Sequence, residues 1–203
     1  NRLLKAVSGA DTLDVWDLQL ADSGAKIIKT RKGFIARLDG LANKNHEYLT
    51  AGREHLTLRY ESMDGETEDE IREKFLSELK STREKDVFQG YTHVGAQTDD
   101  MAVLAGDLDI RRYGSQGQQR TAALSLKLAQ LDLFYEETGE YPVLLLDDVF
   151  SELDETRKDK LIGRLSGHQT IITCTNAQKG LRETFAEAAF YRVDNGVVTR
   201  ENP

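Results

Sequence analysis

Cysteine occurs once in this 203-residue chain, at Cys174, which excludes a disulfide framework and a thiolate metal cluster. Proline is absent from the first 140 residues, so nothing of that kind breaks the long helical pattern found there. No apolar run, Val143 to Leu146 included, exceeds five residues. A membrane span requires about 18–20, so no membrane partner is expected. His46, His55, His93 and His168 are scattered without ligand-like spacing. The balance of charge is acidic, at −8, which excludes a surface that binds nucleic acid everywhere and leaves room only for local basic patches. The opening, Asn1-Arg2-Leu3-Leu4-Lys5, has neither an initiator Met nor a signal-peptide pattern, and the expected location is cytoplasmic. One further absence bears on chemistry. A phosphate-binding P-loop reads Gly-x-x-x-x-Gly-Lys-Ser/Thr, and no Gly in this chain is followed by Lys.

What is present is enough apolar material, 39% of residues, for the core of one large domain or two small lobes. From Thr12 to about Thr50, apolar residues recur at helical spacing: Leu13, Trp16, Leu20, Ile27, Ile28, Phe34, Ile35, Leu38, Leu41 and Ala42. That pattern predicts one long helix, or a pair kinked at Gly24 or Gly33. A short alternating strand follows over His55–Tyr60. Thr67 and Glu70 form the pattern of a capping box opening a charged helix through Ile71, Phe75 and Leu79. Met101–Leu104 and Leu108–Tyr113 flank Gly106 as a hairpin. A loop at Gly114 leads into a helix running to Thr138, closed by Gly139 ahead of Pro142. Val143–Asp147 has the texture of a buried strand, Asp154–Leu165 of an amphipathic helix and Thr170–Thr173 of another strand. Asn195-Gly196 joins a terminal hairpin, Phe190–Val193 with Val197–Thr199.

Two stretches carry chemistry. Gly114-Ser115-Gln116-Gly117-Gln118-Gln119-Arg120 opens a helix, where unpaired amides and the dipole together favour an anion. Taken alone it reads more readily as a polar loop with an ordinary helix cap. One helix later, Val143-Leu144-Leu145-Leu146-Asp147-Asp148 is a hydrophobic strand ending in adjacent carboxylates. The first can hold the water shell of Mg²⁺ and the second can orient an attacking water. Ser151-Glu152-Leu153-Asp154 follows directly, and the strand at Thr170 lies about twenty residues on.

In this order and spacing the four elements resemble the C-terminal half of an ABC-type ATPase head: signature loop, Walker B strand, D-loop and switch strand. Within that class, Tyr113–Ala122 and Leu145–Asp154 resemble RecF-type ATPases, as do Asn1–Lys5, Trp16–Leu20 and Gly24-Ala25. The implied fold is an α/β C-terminal lobe of an ABC-type head with a largely helical signature or lid domain. It divides into a helical arm (1–100), a hairpin with signature loop and helix (101–139) and an α/β lobe (140–203).

The resemblance further implies that Ser115, Gln116, Gly117 and Gln118 meet the γ-phosphate of ATP held by a partner subunit. Asp147 supports Mg²⁺ through water. Asp148 stands where many such ATPases have a catalytic Glu. Thr175 lies at or near the switch position, where a hydroxyl is no strong base. Ser151, Glu152 and Asp154 line the dimer interface. The expected activity is that of an ATP-dependent homodimeric DNA clamp at gapped or junction DNA. RecO- and RecR-like partners, recombinase loading and the SOS response belong to the same expectation. In this family the P-loop precedes the middle region, so the chain is expected to be a piece of a longer protein, without ATPase activity by itself. One departure stands out: RecF-type chains show Gly-Pro-His-Arg-Asp-Asp where this one has Gly95-Ala96-Gln97-Thr98-Asp99-Asp100.

Lys26, Lys29, Arg31, Lys32 and Arg37 lie within twelve positions free of acid. They are candidates for DNA or an acidic partner, and equally for a solvated helix face. Three other readings make different demands. A transporter nucleotide-binding domain calls for Glu at 148, His at 175 and a smaller helical region. A chromosome-maintenance head of the SMC type calls for heptad arms far longer than this helix. A non-enzymatic scaffold that retains the motifs is compatible with the altered 96–98 segment.

Overall fold

The structure is a computed structural model that describes residues 1, 4, 5, 10–175, 182, 185 and 187–201, with the backbone alone for Ala10, Asp11 and Glu152. It comprises two compact units, Asn1–Glu137 and Thr138–Pro203.

The first unit is organised on one continuous helix, α1 (Ala10–Thr50), whose 41 residues span about 60 Å at ~1.5 Å per residue. It passes through Gly24 and Gly33 without a break, so the kinked alternative does not occur. Its buried apolar stripe is Leu13, Ala21, Ala25, Ile28, Leu38, Ala42 and Leu49. Trp16 and Phe34, from the apolar pattern, are 54% and 48% exposed, and Leu20 and Ile27 are exposed as well. The reason is steric. Only alanine and glycine let a second helix come close, and at Gly24 a Cβ would sit 2.8 Å from Phe75 Cζ.

That second helix is α2 (Glu68–Gln89). Thr67 opens it with the predicted capping box: its hydroxyl accepts from Glu70 N at 3.2 Å, while the Glu70 carboxylate accepts from Thr67 N. Gly90, at φ 74°, closes it by returning its N–H to Asp86 O. Ile71, Phe75 and Leu79 bury against Ala21, Ala25 and Ile28.

Three antiparallel strands follow: β1 (Leu56–Glu61), β2 (Asp100–Ala105) and β3 (Leu108–Asp109), with Leu56 opposite Ala105 and Ala105 opposite Leu108. Acceptors on α1 satisfy two amides of β1: Asn43 Oδ1 accepts from Leu56 N at 3.0 Å and Asp39 Oδ1 from Leu58 N at 2.6 Å. The second hairpin arm is shorter than the alternation predicts. Asp109 accepts from Arg112 N and so caps a short helix, α3 (Ile110–Tyr113), which ends the strand after two residues. Helix α4 (Gln116–Thr138) then packs Ala122, Ala129 and Leu133 with Leu38 and Ala42 of α1, Leu56 and Leu58 of β1, and Ile110.

In the second unit, β4 (Leu144–Asp147) and β5 (Thr170–Thr173) are parallel, with Asp147 opposite Thr173. A 3₁₀ turn (Val149–Glu152) and α5 (Glu155–Leu165) connect them. The strand β4 is buried on one face only. Leu144 and Leu146 are buried, whereas alternation turns Leu145, 69% exposed, to a side left open among the described residues. Strands β6 (Phe190–Asp194) and β7 (Val197–Glu201) form the terminal hairpin, and positive φ at Asn195 and Gly196 gives the two-residue turn that the Asn-Gly pair demands.

Candidate functional site

The signature turn lies in the first unit and is held from both sides. Ser115 Oγ accepts from Gln118 N at 3.2 Å, and Gln118 Oε1 accepts from Ser115 N at 3.0 Å. This is a second capping box, with Gln in the place of Glu. The Ser-x-x-Gln pattern that signals it is legible in the sequence within the anion loop. Because Ser115 accepts from within, its hydroxyl proton is left to donate to an incoming oxygen. Ser115 and Gln116 are exposed, and Gly117 and Gln118 are half-buried. Gln119 was not singled out by sequence. Its amide donates to Ile110 O at 3.2 Å and lies 3.3 Å from Arg111 O and Gly114 O, tying the helix start to the turn of α3.

Gly114 is required by space rather than by conformation. Its φ is −68°, but an added Cβ would meet Ile110 O at 2.5 Å and Ile110 Cγ2 at 2.8 Å. Ile110 is itself fixed in the core. Gly114→Ala is therefore expected to lower the stability of the chain by about 1–3 kcal/mol, the usual range for forced overpacking. Urea unfolding checks this; an unchanged midpoint would mean that the turn relaxes freely.

The carboxylate pair lies at the end of β4 in the second unit. Thr173, in register on β5, organises both members. Its hydroxyl donates to Asp147 Oδ1, while Asp148 N donates to Thr173 O at 3.1 Å and lies 3.2 Å from Thr173 Oγ1. Strand pairing, invisible in a linear pattern, makes this contact. Asp148 adopts the left-handed conformation at φ 49°, an uncommon state for a residue with a side chain, and this turns the chain sharply out of the strand. Asp147 is exposed, and its Oδ2 has no hydrogen-bond partner among the described residues.

Past the pair, Ser151 Oγ donates to Asp148 O at 2.9 Å and Asp154 caps α5 by accepting from Arg157 N at 2.9 Å. The side chain of Glu152 lies outside the described residues. Thr175 is exposed two residues beyond β5.

Four of the five clustered basic residues are engaged within the first unit. Lys29 donates to Glu66 O, Lys32 to Gly65 O at 2.7 Å and Arg31 to Ala96 O at 2.5 Å, and Arg37 pairs with Glu136 and Glu137. Lys26 has no side-chain polar partner among the described residues. Arg31 also lies 3.6 Å from Asp99, which accepts from the Tyr60 hydroxyl. Burial and then Asp99 push the Tyr60 phenol above its usual range. The Gly95–Asp100 loop, where the sequence departs from the RecF-type pattern, is thus held by Arg31 from α1.

Next to this loop, Arg111 forks onto Asp100, with Nη1 3.0 Å from Oδ1 and Nη2 2.5 Å from Oδ2. That contact first, and the Met101 amide second, draw the Asp100 carboxyl down to about 2. An acid so depressed contributes its stabilisation above its unfolded value near 3.8, and loses it as pH falls through about 2. Asp100→Asn is expected to narrow the thermal stability gap to the unaltered chain progressively between pH 4 and about pH 2, which melting curves at stepped pH test. A gap constant across that window would show that the pair contributes nothing in the fold.

No family model matches the chain. It is 45% identical, across 98% of its length, to the DNA replication and repair protein RecF of Halothermothrix orenii, covering 56% of that protein. The RecF of Ruminiclostridium cellulolyticum is 40% identical over 97% of this chain, with 55% of the relative covered. Among solved structures, the recombination mediator protein RecF-ATP in the RecFOR pathway superposes with a TM-score of 0.82 at 34% identity, over 98% of this chain and 53% of that one. The corresponding RecF-ATPrS structure gives 0.80 at 36% identity, over 96% and 52%. The chain thus spans about half the length of the curated relatives it matches. The mixed helix-and-sheet architecture is that of the C-terminal lobe of an ABC-type ATPase head.

Proposed function

This chain belongs to the RecF family, of whose members it spans about half, and from that premise we propose that it supplies one side of a composite ATP site. That side is the signature turn, which meets ATP held by a second head; the Walker B carboxylates serve the head to which this chain belongs, and a P-loop must come from elsewhere. The observation that carries this reading is the Ser115–Gln118 box, which presents a hydroxyl proton and helix-start amides to solvent at an anion-favouring terminus. ATP supplies the transferable phosphoryl group. Ser115, Gln116, Gly117 and Gln118 orient its γ-phosphate in trans. Asp148 orients the attacking water, Thr175 adds a weak polar contact, and Ser151, Glu152 and Asp154 line the contact with a second head.

The carboxylate end of β4 fits Mg²⁺ in one particular way. Among the described residues there is no cluster of three or more His, Cys, Asp or Glu side chains that could cage an ion. A single exposed carboxylate with a free oxygen, Asp147, suits an ion that keeps most of its water shell and is otherwise held by phosphates.

The functional division follows the sequence: arm 1–100, signature segment 101–139 and α/β lobe 140–203. ATP binding drives homodimerisation, hydrolysis releases it, and the dimer clamps gapped or junction DNA together with RecO- and RecR-like partners in the cytoplasm. Lys26, the unengaged member of the basic cluster, is the first phosphate-contact candidate, and Lys29, Arg31, Lys32 and Arg37 follow by exchanging partners. No helix of the described residues is long and apolar enough to cross a membrane.

Sizing the chain with a separately produced P-loop polypeptide, with and without ATP and Mg²⁺, tests the proposal. Association that strengthens with ATP is expected, and the chain alone is expected to turn over no ATP. Association indifferent to nucleotide would favour the scaffold reading.

A further inference from the structure

Behind the signature turn runs a buried string of polar groups that the ATP chemistry itself does not use. Thr121 Oγ1 donates to Gly117 O at 2.7 Å, and Ser125 Oγ donates to Thr121 O at 2.7 Å. His46 Nδ1, from α1, lies 3.0 Å from Ser125 Oγ, and His46 Nε2 lies 3.5 Å from Glu54 Oε2. His46 and Ser125 are 0% exposed and Thr121 is 1% exposed. Thr50 Oγ1 donates to His46 O at 2.8 Å and fixes the ring's own backbone.

Proton counting gives the string a direction. The Ser125 hydroxyl has one proton, and it is committed to Thr121 O. His46 Nδ1 must therefore be the donor to Ser125. Nε2 then faces a carboxylate, a contact that is attractive only if one further proton lies between the ring and Glu54. Buried groups this costly to leave unsatisfied persist when they fix an arrangement.

We infer that His46 and Glu54 are positioning residues for the signature turn, setting the carbonyl of Gly117 through Ser125 and Thr121. The inference rests on the composite-site reading above and extends it. Ser115 to Gln118 are aimed by a string whose far end sits at the junction of α1 and β1. The register of the long helix is thereby coupled to the geometry offered to a γ-phosphate. A small displacement at such a site is worth far more than its size suggests, because alignment sets the rate.

The test compares His46→Leu, Ser125→Ala and Glu54→Gln in the whole chain. Glutamine at 54 can donate an N–H to His46 Nε2, so it completes the string without the shared proton. Hydrogen exchange of the Gln118 and Gln119 amides reads the turn directly, with no partner or nucleotide needed. Protection there is expected to fall about tenfold in His46→Leu and Ser125→Ala, and to stay near the unaltered level in Glu54→Gln, while α2 and α5 exchange as before. ATP-dependent association with the P-loop polypeptide is expected to weaken at least about tenfold in the first two variants only.

Unchanged protection at Gln118 and Gln119 in a folded His46→Leu or Ser125→Ala chain would overturn the inference. So would damage from Glu54→Gln equal to that from His46→Leu. If His46→Leu fails to fold, Ser125→Ala, which removes one oxygen, decides the matter. If the unaltered chain shows no ATP-dependent association, the composite-site reading falls, while the exchange data still judge the positioning role.

Discussion

Phe75→Ala is expected to destabilise the chain by about 3–5 kcal/mol, a large share of the roughly 5–15 kcal/mol that holds a domain together. Phe75 is the largest fully buried side chain among the described residues, and its ring packs against α1 at Gly24. Its ring occupies the space that Gly24 leaves open, with Ile71 and Leu79 to either side along α2. The small residues facing the ring on α1, Ala21, Gly24 and Ala25, cannot fill the void. Urea unfolding followed by circular dichroism measures the loss. A cost below about 1 kcal/mol would show that the two helices are not held by this contact. Gly24→Ala attacks the same contact from the opposite side and is expected to act in the same direction.

The second large effect falls on chemistry. In the mixture with a P-loop polypeptide, Asp148→Asn is expected to lower kcat by about 10²–10⁴-fold, the usual range for losing a group that handles a proton in the transition state. Asparagine is the informative replacement. It tolerates the left-handed conformation at φ 49°, keeps the amide that donates to Thr173 O, and removes only the charge. Association driven by ATP is expected to survive, since binding precedes the step that Asp148 serves. Turnover unaffected by the change would assign the water-orienting role to another residue.

Elements with a local chemical signal were legible in the sequence. Thr67 with Glu70, Asn195 with Gly196 and Gly139 before Pro142 each mark a boundary through the geometry of a few neighbouring atoms, and the structure places boundaries there. The order of the motifs made the ABC-type lobe legible for the same reason. What failed was whatever depends on which surface meets which. Periodicity identified α1, yet it could not tell that the small residues Ala21 and Ala25 would face the core while Trp16 and Phe34 stayed outside. Ile110 to Tyr113 read as a continuation of the strand because the capping by Asp109 competes with pairing only once the chain has turned.

In the candidate site, the missed residues are those that act across elements. Thr173 reaches the carboxylates through strand register, Gln119 reaches back to α3, and His46 meets Ser125 across seventy-nine positions of sequence. The engagement of Lys29, Arg31, Lys32 and Arg37 with acceptors in their own unit was likewise hidden in a window that contains no acid.

The most direct measurement is ATP hydrolysis by this chain mixed with a separately produced P-loop polypeptide, with and without DNA. Activity that appears only in the mixture, and disappears with Ser115→Arg, is the predicted result. Two halves that demonstrably associate yet hydrolyse nothing would contradict it, leaving the signature turn and the carboxylate pair as scaffold.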